Sequence, residues 1–268
     1  MNILLFEFKR YWSSLWIWIL SVMAQLLMFM AFYPVLAADA ALLDLFLEHY
    51  PEELLKAFGM GGELSLATAA GFFAFTFALA QLTLAAQSAY YGFHFMSVEE
   101  RELTADFLYS KPVERHHVIA LKYAAALLAL LLTNVGIWAG TFLALAWFGG
   151  EAPIEIWPFV SLLLTVPLFQ LFFFSFGFLA TAATKKIASV MGPAVGVAFV
   201  LYMLSALRRI VGGELLGILS PYYHFDPNYI LVAGEWSLRL TGISLFFIIA
   251  ANVMAVRLFL KRDIYSAV

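Results

Sequence analysis

Residues 127–148 read LLALLLTNVGIWAGTFLALAWF, and this stretch contains no Asp, Glu, Lys or Arg. A helix needs about 20 consecutive apolar residues to cross the hydrocarbon core of a bilayer. A strand of a membrane barrel would instead alternate polar and apolar residues over about 10 positions, and the stretch shows no such alternation. The stretch therefore predicts a transmembrane helix.

Uncharged stretches recur along the whole chain. Charged residues are absent from 11–38, 64–98, 123–150, 156–184, 187–207 and 240–256. Only 12% of the 268 residues are charged and 64% are hydrophobic, whereas about a quarter of the residues in soluble domains are charged. We expect an all-α integral membrane protein, a single transmembrane domain over 1–268. Its six spans are predicted at about 13–36, 66–94, 120–147, 157–183, 187–209 and 239–260.

Two segments beside the spans predict additional elements. Residues 1–12 predict an amphipathic helix leading into the first span, because Leu5, Phe8 and Trp12 fall on one helical face. Residues 212–236 are too apolar for a free loop and too rich in Pro and Gly for a span. They predict a re-entrant hairpin on the external side, between the fifth and sixth spans.

The basic residues predict the orientation of the chain. Six spans place both termini on one side, together with eleven of the 15 Lys and Arg residues. Cytoplasmic loops collect Lys and Arg, so we expect both termini in the cytoplasm and the chain in the cytoplasmic (inner) membrane. The pair Arg208-Arg209 on the other side is an exception. The uncharged run 11–38 exceeds the roughly 7–15 apolar residues of a signal peptide, so the first span is expected to be retained.

The most polar part of the chain, SVEERELTADFLYSKPVERHHVIALKY at residues 97–123, lies between the second and third spans. Ser97 and Glu100 fit the S-x-x-E capping box that begins a helix, and Lys111-Pro112 would end it. The apolar edge of this helix would be Leu103, Phe107 and Leu108. The pattern predicts a short amphipathic helix on the cytoplasmic side.

Motifs of membrane enzymes and of self-powered pumps are missing. No GxxxxGK[ST] occurs, so the chain has no P-loop of its own. Glu99-Glu100 begin like the EExxxR motif of glutamate-type membrane proteases, but Thr104 stands where the arginine should be. His116-His117 are adjacent and are a poor metal clamp. Since the spans also lack the charges of ion-coupled carriers, the energy for any transport is expected to come from a partner.

The stretch EERELTADFLYSKPVERHHVIALKY, residues 99–123, resembles the signature of ABC-transporter permeases of the type-2 exporter family. The matching positions are Glu100, Thr104, Phe107, Leu108, Ser110, Pro112, Val113, Arg115 and Lys122. Leu103 stands where glycine is common, and Glu114 where a small hydroxyl residue is common. The closing KRDI, residues 261–264, is similar to the tail of many such subunits, and the six-span layout with the 212–236 hairpin extends the resemblance over nearly the whole chain.

The resemblance implies the membrane-spanning permease subunit of an ATP-driven ABC exporter, which is not itself an enzyme and binds no cofactor. In this family the helix between the second and third spans docks on a separate ATPase subunit, which holds ATP and Mg²⁺. The working unit also contains a second permease, either another copy or a paralogue. The implied ATPase-coupling residues are Glu99, Glu100, Leu103, Thr104, Phe107, Leu108, Ser110, Pro112 and Arg115.

By the same resemblance the second and fifth spans line the dimer interface and the substrate path. The candidate path residues are Gln81, Gln87, Ser88, Gly192, Pro193 and Gly196. Hydrogen bonding or packing between helices is the alternative role for each of them. The apolar spans favour an amphipathic or hydrophobic substrate, and the expected surroundings are the lipid bilayer rather than nucleic acid. Two other functions stay open: an ATPase-linked subunit that signals or remodels the envelope without moving solute, and an intramembrane enzyme.

Overall fold

The computed structural model describes residues 3–39, 43, 45, 47–60, 64–102, 115–151, 153–184 and 189–261. Helices account for most of these residues, and no strand is present among them. In chain order the helices are α1 (Ile3–Met30), α2 (Tyr33–Ala38), α3 (Glu52–Ala57), α4 (Ala69–Arg101), α5 (Arg115–Phe148), α6 (Ile156–Ala183), α7 (Met191–Val211), α8 (Glu214–Leu219), α9 (Pro221–His224), α10 (Pro227–Ala233) and α11 (Leu238–Lys261).

Six helical segments of the described residues are long and apolar enough to cross a membrane. They are α1 continued by α2, followed by α4, α5, α6, α7 and α11. The prediction of an all-α protein with six membrane helices is therefore confirmed.

The first segment is one continuous helix where the sequence suggested two elements. α1 runs from Ile3 to Met30, so the predicted N-terminal amphipathic helix forms its first turns. No Pro or Gly occurs between these residues, and nothing in the local sequence interrupts the helical hydrogen bonds. α1 ends just before Tyr33-Pro34, where a proline begins the short helix α2.

The capping-box interpretation of Ser97 is wrong. α4 continues through Ser97 to Arg101, and the hydroxyl of Ser97 donates a hydrogen bond to the carbonyl of Phe93 at 2.7 Å. A serine inside a helix makes this bond to the preceding turn. The second membrane helix therefore extends into the polar stretch, and a separate cytoplasmic helix would have to lie within residues 103–114, which are outside the described residues.

α4 and α6 form the centre of the bundle and are its most deeply buried membrane helices. Their backbones touch because glycine replaces a side chain on both helices. A Cβ atom added at Gly177 would lie 2.6 Å from the carbonyl oxygen of Ala89, and one added at Gly92 would meet the carbonyl oxygen of Phe174. α11 packs on the other side of α6, where Phe172 and Phe247 stack with ring centroids 4.2 Å apart.

Small residues also bring α1 and α5 together. A Cβ atom at Gly136 would lie 2.6 Å from Cγ2 of Ile19, and one at Gly140 would lie 3.1 Å from Cγ of Met23. α7 has two glycines at the same spacing, but they face open space. A Cβ atom added at Gly192 or Gly196 would meet no atom of the described chain within 4 Å. The two pairs share a sequence pattern, but among the described residues only the α5 pair has side chains of another helix next to its glycines.

The segment after α7 folds into the short helices α8, α9 and α10, which pack against α4, α6 and α7. Gln81 of α4 donates a hydrogen bond from Nε2 to the carbonyl of Phe225 at 2.8 Å. Arg209 at the end of α7 forms an ion pair with Asp226 at 3.0 Å. Trp236 donates from Nε1 to the carbonyl of Ser161 at 2.9 Å. The segment is thus held within the bundle by polar contacts to three membrane helices.

Candidate functional site

A cluster of charged side chains lies where α1 begins, α4 ends and α5 begins. We call Glu7, Arg10, Glu99, Glu102 and Lys122 the charge cluster. Lys122 donates from Nζ to both carboxylate oxygens of Glu99 at 2.6 Å. Arg10 donates from Nη1 to Glu99 at 3.1 Å and from Nη2 to Glu102 at 2.8 Å. The cluster thus joins three membrane helices by ion pairs.

The centre of the charge cluster is withdrawn from the surface. Glu7, Glu99 and Lys122 are 3%, 4% and 3% exposed, respectively. Burial of charge is tolerated only when each group is paired and hydrogen-bonded. Glu99 meets this condition with two cationic partners, whereas the nearest cation to Glu7 is Arg10, 3.9 Å away. Breaking one buried pair would leave an uncompensated charge inside the protein.

The charge cluster lies at the base of residues 103–114. Glu102 is the last described residue before this segment, and α5 begins directly after it at Arg115. Glu99 is two residues before the end of α4, and Lys122 is seven residues inside α5. The Glu99–Lys122 pair therefore ties together the two helix ends from which the segment emerges, and Arg10 adds α1 to the same joint.

A second polar group flanks the cluster on α4. Arg101 lies 2.9 Å through Nη2 from Nδ1 of His94. A guanidinium can only donate, so Nδ1 of His94 is the acceptor in this pair. The ring of His94 stacks on Tyr90 with centroids 5.6 Å apart and meets the edge of Tyr11 at 6.0 Å. These contacts extend the joint between α1 and α4.

The predicted ATPase-coupling residues are only partly within the described chain. Leu103, Thr104, Phe107, Leu108, Ser110 and Pro112 lie outside the described residues. The backbone of Glu100 belongs to the last turn of α4, and that of Arg115 begins α5. Glu99 is the one predicted coupling residue whose side chain is described. It is buried among α1, α4 and α5 rather than presented to a partner.

The predicted path residues fall into two separate groups. Gln81, Gln87 and Ser88 are buried within the chain. Gln87 donates to the hydroxyl of Thr133 at 2.8 Å, and Ser88 donates to the carbonyl of Leu84 in its own helix at 2.8 Å. The second group, Gly192, Pro193 and Gly196, lies on the exposed face of α7. The first group thus lies inside the bundle and the second on its surface.

Sequence reasoning missed the charge cluster itself. Glu99 and Lys122 each border an uncharged stretch and belong to the polar stretch 97–123, which predicts a cytoplasmic segment and not a buried ion pair. In the amphipathic helix predicted for residues 1–12, Glu7 and Arg10 fall on the polar face, opposite Leu5, Phe8 and Trp12. The available signal was the pair of opposite charges at the two ends of the same loop, since charges at the edge of a span are buried only when they are paired. Among the described residues, no group of three His, Asp or Glu could hold a metal ion.

Six apolar helices, with buried charges where α1, α4 and α5 meet, define a multi-pass membrane protein. The family model for the ABC-2 family transporter protein matches residues 1–264, and the chain belongs to this family of ABC-transporter permeases. No curated protein and no solved structure matches the chain. The predicted family is therefore confirmed over nearly the whole length, and permeases of this family are generally non-catalytic membrane subunits.

Proposed function

We propose that the chain is the permease subunit of an ATP-driven exporter and that a separate ATPase subunit drives it through residues 103–114. The observation that carries the proposal is the charge cluster at the base of this segment. Glu99, Arg10 and Lys122 form one ion-paired joint between α1, α4 and α5. A force applied to the segment would reach three membrane helices through this joint.

The residues of the segment suit a docking role. Leu103, Phe107 and Leu108 are large apolar side chains in a stretch that also contains the polar residues Thr104, Asp106, Ser110, Lys111 and Glu114. Apolar anchors within a polar rim are the usual composition of a protein–protein contact. Glu100, Thr104, Ser110, Pro112 and Arg115 would form that rim and set the register. Glu99 would act from inside the chain, as a positioning residue that holds the end of α4 to α5.

The exposed face of α7 supports a pairing of two permeases. Val195, Phe199 and Val200 are 47%, 50% and 62% exposed on this helix. Gly192 and Gly196 leave open space on the same helix. Small residues flanked by large apolar ones allow close approach of a second helix in a membrane. The second permease would be another copy of the chain or a paralogue, and either would cover this face.

The substrate path is proposed to run beside the hairpin formed by α8, α9 and α10. Gln81 lies twelve residues after the start of α4, or about 18 Å along the helix axis. Its hydrogen bond to Phe225 therefore supports a re-entrant position for the hairpin. Gln81, Gln87 and Ser88 would border the path when the hairpin moves, and Gly192, Pro193 and Gly196 would border it from the second permease.

The orientation follows from the basic residues. Six spans would place eleven of the 15 Lys and Arg residues on the side of the two termini, which we propose is the cytoplasmic side of the inner membrane. The ATPase would then meet residues 103–114 from the cytoplasm. The substrate, an amphipathic or hydrophobic molecule, would leave toward the side that carries the hairpin. The whole chain, 1–268, is proposed to act as a single transmembrane domain.

Purification of the complex tests the proposal. The tagged chain, extracted from the membranes of its native host, is expected to retain a second protein that contains a P-loop. Leu103→Asp with Phe107→Asp is expected to remove that protein. Leu54→Asp, which adds a charge to exposed residue 54 of α3 outside the charge cluster, is the control and should retain it. An enzymatic activity of the chain with no ATPase present would contradict the proposal.

A further inference from the structure

A groove of about 610 Å³ opens on the outer surface of the bundle between α5 and α11. Ala120 and Tyr123 line it from α5, and Asn252 and Val253 line it from α11. Ala120 and Val253 are exposed, so the groove faces the surroundings of the bundle. Its volume falls within the roughly 300–1,000 Å³ that ligand sites enclose.

α6 lies behind the groove and contacts both of the helices that form it. Tyr123 of α5 packs edge-on against Phe174 with ring centroids 5.3 Å apart. Asn252 of α11 donates from Nδ2 to the hydroxyl of Ser175 at 2.7 Å. The amide oxygen of Asn252 is buried and has no hydrogen-bond partner within the described chain. The apolar lining of the groove therefore packs against α6 through one aromatic contact and one hydrogen bond.

Arg257 carries a positive charge at one end of the groove. His116 near the start of α5 and Arg257 near the end of α11 line it there. Lys261 follows Arg257 by four residues, which places both on one face of the helix. Within the described part of the chain Arg257 forms no salt bridge, and none of the described lining residues is acidic. An anionic group is the complementary ligand for this end.

We infer that the groove binds an anionic phospholipid from the leaflet on the side of the chain termini. Its phosphate lies at Arg257 and His116, and one acyl chain follows Ala120 and Val253 toward the middle of the bundle. A groove that faces the membrane, apolar along its length and basic at one end, matches both parts of such a lipid. Only the assignment of that leaflet to the cytoplasm rests on the proposed function.

Native mass spectrometry of the purified chain tests the charged end of the groove. The probes are phosphatidylglycerol and phosphatidylcholine with identical acyl chains. The wild-type chain is expected to retain phosphatidylglycerol in preference, and Arg257→Gln should reduce that preference about fivefold. Arg239→Gln, at the opposite end of the same helix, is the control. An unchanged preference in Arg257→Gln would overturn the inference.

A second variant tests the apolar part. Ala120→Trp fills the groove and is expected to abolish retention of both lipids, whereas Leu131→Trp adds the same indole at a position that is 56% exposed on α5 and should not. Full retention in Ala120→Trp would exclude the groove as the site. A changed oligomeric state of Ala120→Trp with unaltered lipid retention would also exclude a lipid in the groove, because a second copy of the chain would then occupy it. The measurement uses no ATPase, so its result is independent of the coupling proposal.

Discussion

Lys122 and Glu99 lie at the centre of the charge cluster. Their contribution to the stability of the fold depends on their burial. Lys122→Met would leave Glu99 buried with Arg10 as its one remaining cation among the described residues. Loss of one partner of a buried ion pair costs about 3–5 kcal/mol. We expect this destabilisation in unfolding titrations of the purified chain in mixed micelles.

The double variant Lys122→Met with Glu99→Gln is the informative companion, because it removes both charges. It should recover much of the lost stability, since a neutral pair of similar volume is tolerated in a buried site. Lys56→Met breaks the exposed ion pair with Glu52 and should change stability little. Equal losses in Lys122→Met and Lys56→Met would show that the cluster is not a buried joint.

His224 in α9 is a second residue with a definite expectation. Its Nε2 lies 2.9 Å from the carbonyl of Ile218 and donates to it, and its Nδ1 lies 2.7 Å from the hydroxyl of Ser244 and accepts from it. Burial lowers the pKa of His224, and hydrogen bonds to the carbonyls of Ile218 and Gly217 only partly offset this effect. The folded protein therefore favours the neutral ring.

This lowered pKa predicts the direction of a pH dependence. An unfolded histidine titrates near about 6.5, so the contribution of His224 is present above that pH and is lost progressively as the pH falls toward its lowered folded pKa. Thermal unfolding between pH 8 and pH 5 should show this loss in the wild-type chain and a shallower slope in His224→Gln. His49→Gln alters an exposed ring and is the control. Identical slopes in all three proteins would contradict the assignment.

At the scale of elements, glycines determine how closely the membrane helices approach. A Cβ atom at Gly177 would lie 2.6 Å from the carbonyl of Ala89, whereas one at Gly242 of α11 would meet nothing within 4 Å. Gly177→Ala is expected to cost about 1–3 kcal/mol through overpacking of α4 against α6. Gly242→Ala should be neutral or slightly stabilising, because alanine favours the helix. A neutral Gly177→Ala in the same unfolding titration would show that α4 and α6 are further apart.

The spans were predictable from the sequence because charge-free stretches about as long as the bilayer is thick have no stable alternative to a helix. The end of α4 was not predictable in this way. Ser97 and Glu100 fit a capping box, but the same residues fit a helix interior, and the packing of α1 and α5 onto α4 decides between them. The partner of Gln81 was also not predictable, since the carbonyl of Phe225 lies 144 residues away in the chain.

At the scale of the whole molecule, pairing through α7 makes a clear prediction. The chain has no cysteine, so a single introduced thiol reports on one position. Val200→Cys on α7 is expected to form a disulfide between two permeases in native membranes. Ile249→Cys on α11 is equally exposed, at 62%, and is the matched control. A product of twice the mass of the chain identifies a second copy as the partner, and equal cross-linking at both positions would contradict an interface at α7.

The central claim is that energy from ATP enters through residues 103–114 and reaches the bundle through the charge cluster. The most direct test is ATP hydrolysis by the complete complex in lipid nanodiscs, compared between the wild type and Leu103→Asp with Phe107→Asp. The account predicts that the double variant loses the bound ATPase or its permease-coupled activity, while Leu54→Asp retains both. A double variant that still binds the ATPase with full coupled activity would contradict it.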